Sequence, residues 1–370
     1  MQQILQWCYR HRRILIIDTV CLLLSLILLI IAGRGPKYAY SQQEAGRWSV
    51  DHTPYHQVSA FWPSLGNIGR EEISSIRSKI QKNLVEASLA TSGDKGNLWT
   101  DAYMAQTKDS VTRVSDLGLR GKEDVNIHGV GGSFFLFHPL KLINGSFFTE
   151  DDVMDDRVVI DRETAWALFG DTNIAGQSIR ISDKTFVIAG VYDRDDNRNA
   201  LKATGGKSSL FMDYRAFHRL YENAAIISYE AVLPQPIPGF ALNTLQDAVG
   251  GEDSEAALVD NTDRFKGKSL LVRFSDTAGL FMRQSAVIFP YWENEMRALE
   301  WEQYCLLMIR LLMLAVPVVS GIYGIVKLLG KYGGGLWHRF WNTLFERIRS
   351  SFQKRAVRSR SEFDEDEIER

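Results

Sequence analysis

The sequence predicts an α+β extracytoplasmic domain, with two interleaved subdomains and mixed sheets, between two transmembrane α-helices. Three observations predict it. Ile14–Ala32 is an apolar run of 19 residues interrupted only by Asp18, Thr19 and Ser25. Leu311–Val326 is a second run, extended upstream through Cys305–Ile309. A helix rises about 1.5 Å per residue, so each run is long enough for a hydrocarbon layer roughly 30 Å thick. Between them the pattern changes to short strand-like and helix-like segments punctuated by Gly, Pro and Asn-Gly.

Charge sets the expected orientation. Arg10, Arg12 and Arg13 precede the first run, and no acid lies in residues 1–13. Lys327, Lys331, Arg339, Arg347 and Arg349 follow the second, opposed by Glu346. The flank before the second run is acidic, with Glu293, Glu295, Glu300 and Glu302 against Arg297. Basic residues collect on the cytoplasmic side, so both termini are expected inside and the central block outside. The first run reads as an uncleaved signal anchor. It is longer than a signal-peptide core, and no small-x-small site follows Ala32.

The expected organisation is a cytoplasmic N-terminus at 1–13, a first span at 14–32 and a linker and domain entry at 33–57. The outer domain follows at 58–290, a second span at 304–329, an interfacial helix at 336–352 and a charged tail at 353–370. The whole chain has 43 basic and 45 acidic side chains. The inner flanks hold the basic excess, which leaves the outer block acidic. Nucleic acid is therefore not an expected partner, because phosphate contacts need Lys and Arg. The basic inner flank suits anionic lipid. Cys8, Cys21 and Cys305 all lie in or beside the spans, so the outer domain folds without disulfides.

Within the outer block, Val58–Trp62 reads as a strand. Glu71–Leu89 reads as a helix with Ile73, Ile76, Ile80, Leu84 and Leu89 near one face. Trp99–Gln106 and Ser110–Val114 read as a strand pair. Thr149 with Asp152 three residues on suggests a capped short helix. Arg157–Ile160 is a strand and Arg162–Phe169 a helix stopped by Gly170. Ser178–Ile181 and Thr185–Val191 alternate across Ser182-Asp183-Lys184 and form a hairpin. Ser208–Met212 is a strand, Asp213–Asn223 a helix capped by Asp213, Ala225–Leu233 a strand, and Ala241–Val249 a helix after a Pro-rich turn.

A series of short motifs runs through Gly129–Val191. It reads Gly129-Val130-Gly131-Gly132, Phe137-His138-Pro139-Leu140, Gly145-Ser146-Phe147-Phe148, Val158-Val159-Ile160-Asp161, Ala165-Trp166-Ala167-Leu168-Phe169-Gly170 and Phe186-Val187-Ile188-Ala189-Gly190-Val191. The series resembles the periplasmic core domain of MacB-type and FtsX-like ABC-transporter permeases. Members carry this domain between their first and second transmembrane helices. The resemblance implies a permease-like or accessory subunit that relays motion between a cytoplasmic ABC ATPase and the outer domain, in export or envelope signalling. Family permeases continue with two further transmembrane helices, so a second permease subunit is an expected partner beside the ATPase and membrane lipid. The alternative is a stand-alone membrane-anchored receptor or adaptor whose ectodomain binds an envelope partner.

The membrane segments supply the candidate coupling residues. Asp18 and Lys327 lie near the same inner face, within reach of pairing. Arg310, toward the outer end, snorkels outward or faces Glu302. Pro317 kinks the second helix. Ser320 and Gly324 form a small-xxx-small pair that permits close helix approach. Trp337, Trp341 and Phe345 mark the apolar face of the 336–352 helix, which anchors in the inner interface or docks an ATPase.

Catalytic chemistry is not expected. Thr204-Gly205-Gly206-Lys207-Ser208 lacks the first Gly of a phosphate-binding loop, because Leu201 stands there. Gly129–Gly132 ends in Phe134 where a dinucleotide fingerprint needs Gly. Asp193, Asp195 and Asn197 begin like a calcium loop, but Arg198 and Thr204 replace its Gly and Glu. His52 and His56 are separated by Pro54 and make a poor metal pair. No cofactor, metal or catalytic residue is assigned, and the chain is expected not to be an enzyme.

Overall fold

The computed structural model describes residues 12–35, 39, 41, 43–48, 54–63, 68–89, 98–114, 121–194, 198–251, 254–272, 283–284, 287–332 and 346. The chain divides into two compact units. One holds residues 31–307, the other the two apolar ends.

The first unit is built on one mixed sheet of ten strands. The strands are β1 (Tyr55–Phe61), β2 (Thr100–Arg113), β3 (Lys122–Gly132), β4 (Lys141–Gly145), β5 (Arg157–Asp161), β6 (Ser178–Ile181), β7 (Lys184–Asp193), β8 (Ser208–Asp213), β9 (Ile226–Pro234) and β10 (Ala257–Asp260). Their order is β10-β1-β9-β2-β3-β8-β5-β7-β4, and β6 bridges β2 and β7. Pairings β3·β8 and β5·β7 are parallel, while the others are antiparallel. The expected interleaving is visible here: β8 and β9, which follow β4 to β7 in the chain, return to lie beside β3 and β2. A separate two-stranded ribbon joins β11 (Arg283–Gln284) to β12 (Val287–Ile288).

Period-2 alternation sends neighbouring residues to opposite faces. Tyr103, Ala105, Val158, Ile160, Leu210 and Met212 join one buried cluster, together with Ile73, Ile76, Ile80 and Leu84. Ala102, Met104, Val159 and Phe211 join another, together with Phe134, Phe137 and Trp292. Helices cover both faces. In chain order the helices of the described residues are α1 (Arg12–Ala32), α2 (Glu44–Trp48), α3 (Arg70–Glu86), α4 (Phe134–Phe137), α5 (Arg162–Phe169), α6 (Arg198–Thr204), α7 (Tyr214–Leu220), α8 (Phe240–Val249), α9 (Gly267–Val272) and α10 (Tyr291–Tyr332), of which α1 and the apolar part of α10 belong to the other unit. Helix α5 starts where Asp161 accepts the Thr164 backbone N–H at 2.8 Å and stops at Gly170, φ +70°.

Several segments differ from the sequence reading: the helix read to Leu89 ends at Glu86, the one read to Asn223 ends at Leu220, and three further differences are larger. The expected pair Trp99–Gln106 and Ser110–Val114 is a single strand, β2. Its polar middle, Thr107–Asp109, pairs with Ile127–Val125 of β3 instead of turning. No helix follows Thr149; its backbone N–H and hydroxyl both donate to Asp152, closing a turn. Strand β1 begins at Tyr55, within the segment read as linker, and α2 precedes it.

Gly129 and Gly131 are where β3 meets aromatic rings. A Cβ on Gly129 would lie 2.3 Å from Phe217 Cγ, and one on Gly131 2.1 Å from Tyr103 Cζ. The Gly-rich run thus serves close packing.

Candidate functional site at the root of the long helix

Helix α10 is a single helix of 42 residues, roughly 63 Å long at 1.5 Å per residue. Its first turns belong to the sheet-bearing unit. Trp292, Met296 and Leu299 recur at helical spacing and are buried. Glu293, Arg297 and Glu300 follow the same spacing one residue on, and they too are buried. Such charges need partners, because an unpaired buried charge costs several kcal/mol or more.

Arg264 supplies the partner. It follows β10 and is only 1% exposed. Its Nη1 and Nη2 donate to the two carboxylate oxygens of Glu293, both at 2.7 Å, and its Nε donates to Glu300 at 2.9 Å. Arg297 Nε donates to Glu293 at 2.7 Å, and its guanidinium lies 3.7 Å above the Phe289 ring. Two carboxylates face two guanidinium groups, so the cluster is neutral overall. Burial pulls the Arg264 pKa down, but the charges of Glu293 and Glu300 outweigh it and the value is raised. For Arg297 burial dominates, with Arg264 adding repulsion, and the value is lowered. The bidentate geometry fixes the rotation of α10 about its axis as well as its depth.

A cage of rings completes the root. Trp292 lies over His138 with ring centroids 4.0 Å apart, and edge-on to Phe134 at 5.6 Å. His138 Nε2 is 2.5 Å from Glu230 Oε2, both groups buried. Ser59 donates to the other oxygen of Glu230. Tyr291 approaches His128 and Phe211 at 5.8 and 6.4 Å. Burial lowers the His128 pKa to about 3, so this ring is neutral at physiological pH.

The second unit is a helix pair. Along α1 the covered positions are Asp18, Cys21, Ser25 and Leu28; along α10 they include Arg310, Met313, Pro317, Ser320 and Gly324. These recur every three or four residues, so each helix has one contact stripe. The other apolar side chains are exposed, as expected of surfaces made for lipid. Both helices are long and apolar enough to cross a membrane.

Asp18 does not pair with Lys327. Its Oδ2 lies 2.5 Å from the hydroxyl of Ser320, one antiparallel level away, while Lys327 lies over the Tyr323 ring at 5.6 Å. Ser320 also sits 3.2 Å from the Pro317 carbonyl, and its one proton serves one of these acceptors. Arg310 makes no ion pair with Glu302 among the described residues, and its Nε is buried without a hydrogen-bond partner. The two lie eight positions apart on one helix, roughly 12 Å of rise. Pro317 lies inside α10, which continues on both sides of it. At Gly324 an added Cβ would meet nothing within 4 Å, so close backbone approach is not made there. Trp337, Trp341 and Phe345 fall outside the described residues.

Elsewhere, His52 falls outside the described residues, and His56 is tied to strand β10. Its Nδ1 lies 2.8 Å from Asp260, and that hydrogen bond raises its pKa against the opposing effect of burial. The cluster of Arg77, Asp101 and Glu150 escaped sequence reasoning. Arg77 bonds Asp101 at 2.6 and 2.9 Å and Glu150 at 3.0 Å; Glu150 also accepts from Gly132 N–H and Tyr103.

The family model described as MacB-like periplasmic core domain matches residues 60–251. The chain belongs to this family. Macrolide export ATP-binding/permease proteins MacB of Neisseria gonorrhoeae (strain ATCC 700825 / FA 1090) and of Neisseria meningitidis serogroup B (strain ATCC BAA-335 / MC58) are each 35% identical over 99 residues. That stretch is 26% of this chain and 15% of each relative, so the chain matches a small part of their length. The periplasmic region of MacB from Actinobacillus actinomycetemcomitans aligns at TM-score 0.39 and 16% identity, over 60% of this chain and 94% of that one. The extracellular domain of the noncanonic ABC-type transporter YknZ from Gram-positive bacteria aligns at 0.36 and 15%, over 55% and 98%. The MacB-like core domain thus occupies the sheet-bearing unit, flanked by the two apolar helices.

Proposed function

We propose that this chain is a permease-type or accessory membrane subunit of an ABC-transporter complex. It relays motion between a cytoplasmic ATPase and the MacB-like domain, in export or envelope signalling. Both termini lie inside and the domain outside, in keeping with the basic flanks of the apolar runs. One observation carries the reading: α10 is anchored by buried ion pairs at one end and continues as an apolar span without a break. A rigid element that begins in the domain core transmits displacement that a flexible linker would absorb. The named partners are the ATPase, a second permease subunit and lipid. Trp337, Trp341 and Phe345 form the ATPase-facing contact.

The test is purification of the full chain from its native host in mild detergent. Co-recovery of a nucleotide-hydrolysing subunit is expected, and its loss on replacing Trp337, Trp341 and Phe345 by Ala. Replacing Cys305-Leu306-Leu307 by three glycines should keep that association while abolishing the effect of the chain on the hydrolysis rate. Recovery of no such subunit overturns the reading.

A further inference from the structure

The root of α10 also forms one wall of a cleft of about 400 Å³, the size of many small-molecule sites. From the structure we infer that this cleft binds a small, neutral, ring-bearing molecule carrying a hydroxyl. Three features select that chemistry.

The walls are apolar and aromatic. Leu140, Leu201 and Met296 contribute apolar surface, and the rings of Tyr192, Tyr291 and Trp292 line the space. Flat rings prefer offset or edge-on contact with other rings, worth about 0.5–1.5 kcal/mol per pair beyond area burial. A ring-bearing ligand therefore fits better than a branched aliphatic one.

The rim is charge-balanced. Among the described residues its charged side chains are Lys141, Arg194, Asp193 and Glu295, two of each sign. Lys141 pairs with Asp193 at 2.9 Å, and Arg162 reaches the other oxygen of Asp193 at 2.9 Å. Arg194 is held by Glu163 at 2.9 Å. A net charge on the ligand meets as much repulsion as attraction, and its desolvation goes uncompensated.

The third feature is polar and sits in the wall. His138 and Trp292 are 3% and 2% exposed, and each leaves one ring nitrogen without a hydrogen-bond partner. Trp292 Nε1–H is a donor. His138 Nδ1 is an acceptor when its Nε2–H is given to Glu230. A hydroxyl accepts from the first and donates to the second. Both nitrogens are covered by neighbouring atoms, so the ligand reaches them through a small shift of the two stacked rings.

The experiment uses the full chain in lipid nanodiscs and 4-(hydroxymethyl)benzophenone, a neutral two-ring alcohol that inserts into nearby C–H bonds when irradiated. Peptide mapping should find saturable adducts at Leu140, Leu201 or Met296. Leu201→Trp starts from a half-exposed side chain and narrows the cleft, so the saturable component should vanish while the melting temperature stays unchanged. Leu140→Trp serves the same purpose if Leu201→Trp unfolds. Labelling that never saturates, that persists in both variants, or that maps only to α1 and the apolar part of α10 overturns the site. Equal saturable labelling by benzophenone-4-carboxylate overturns the assignment of a neutral ligand. Binding here does not depend on recovery of an ATPase, so the two readings fail separately.

Discussion

Replacing Arg264 by Met removes the group that neutralises the root of α10. Three charge-assisted hydrogen bonds disappear, two to Glu293 and one to Glu300, all between side chains at 0% exposure. Charged hydrogen bonds contribute about 1.5–3 kcal/mol each, which sets an upper figure of roughly 4.5–9 kcal/mol. Glu293 retains Arg297, so the loss falls below that bound. Breaking a buried pair by deleting one partner costs about 3–5 kcal/mol. For a domain of this size that corresponds to a fall in Tm of roughly 6–20 °C. The assay is thermal unfolding of the full chain in nanodiscs, followed by tryptophan fluorescence. Neutralising the stranded acids, as in Arg264→Met with Glu293→Gln and Glu300→Gln, should recover a large part of the loss. A single variant that melts within about 2 °C of the parent, well under what one charged hydrogen bond contributes, would refute the anchoring argument.

Other outcomes can be stated from the same geometry. Glu150→Gln should cost about 1–3 kcal/mol through weakened bonds to Arg77 and Gly132. Burial raises the Glu150 pKa, but Arg77 outweighs burial and the folded value is depressed below 4.5; the parent therefore loses this stability as pH falls below 4.5 through the folded value, and the variant should lose that part of its acid limb in urea titrations over that range. His56 behaves oppositely. Its folded pKa is raised, so the bond to Asp260 contributes fully below pH 6.5 and fades as pH rises through the raised value; His56→Gln should flatten that trend in melting curves. Gly131→Ala should unfold or shift the domain, because its Cβ collides with Tyr103, and Tyr103→Leu should relieve it in the double variant. Gly324→Ala should leave the α1–α10 pair intact by SDS-resistance assays, since the added methyl meets open space.

Elements bounded by strong local signals were legible in the sequence. Helix α5 has an Asp cap and a Gly stop, and the β6–β7 hairpin has clean alternation about Ser182-Asp183. Strand β2 was legible only in halves. Thr107-Lys108-Asp109 looks like a turn, yet a polar stretch stays extended when a neighbouring strand, here β3, completes its ladder, a long-range fact. The anchoring cluster was misread for a related reason. Glu293 and Glu300 looked like an acidic membrane flank, although with Arg297 they repeat at i, i+4 and i+7 in phase with Trp292, Met296 and Leu299. That double periodicity signals a charged stripe turned inward, but nothing local names Arg264 as the partner. Depth alone put Lys327 within reach of Asp18. The contact stripe instead brings Ser320 to it.

The tight seats of Phe217 and Tyr103 over Gly129 and Gly131 carry a historical consequence. Neither glycine can acquire even a methyl while its ring stays, and neither ring can be lost without leaving a void above bare backbone. Change at these paired sites must come in concert. Across descendants of this gene, the two couples should be inherited as units or traded together.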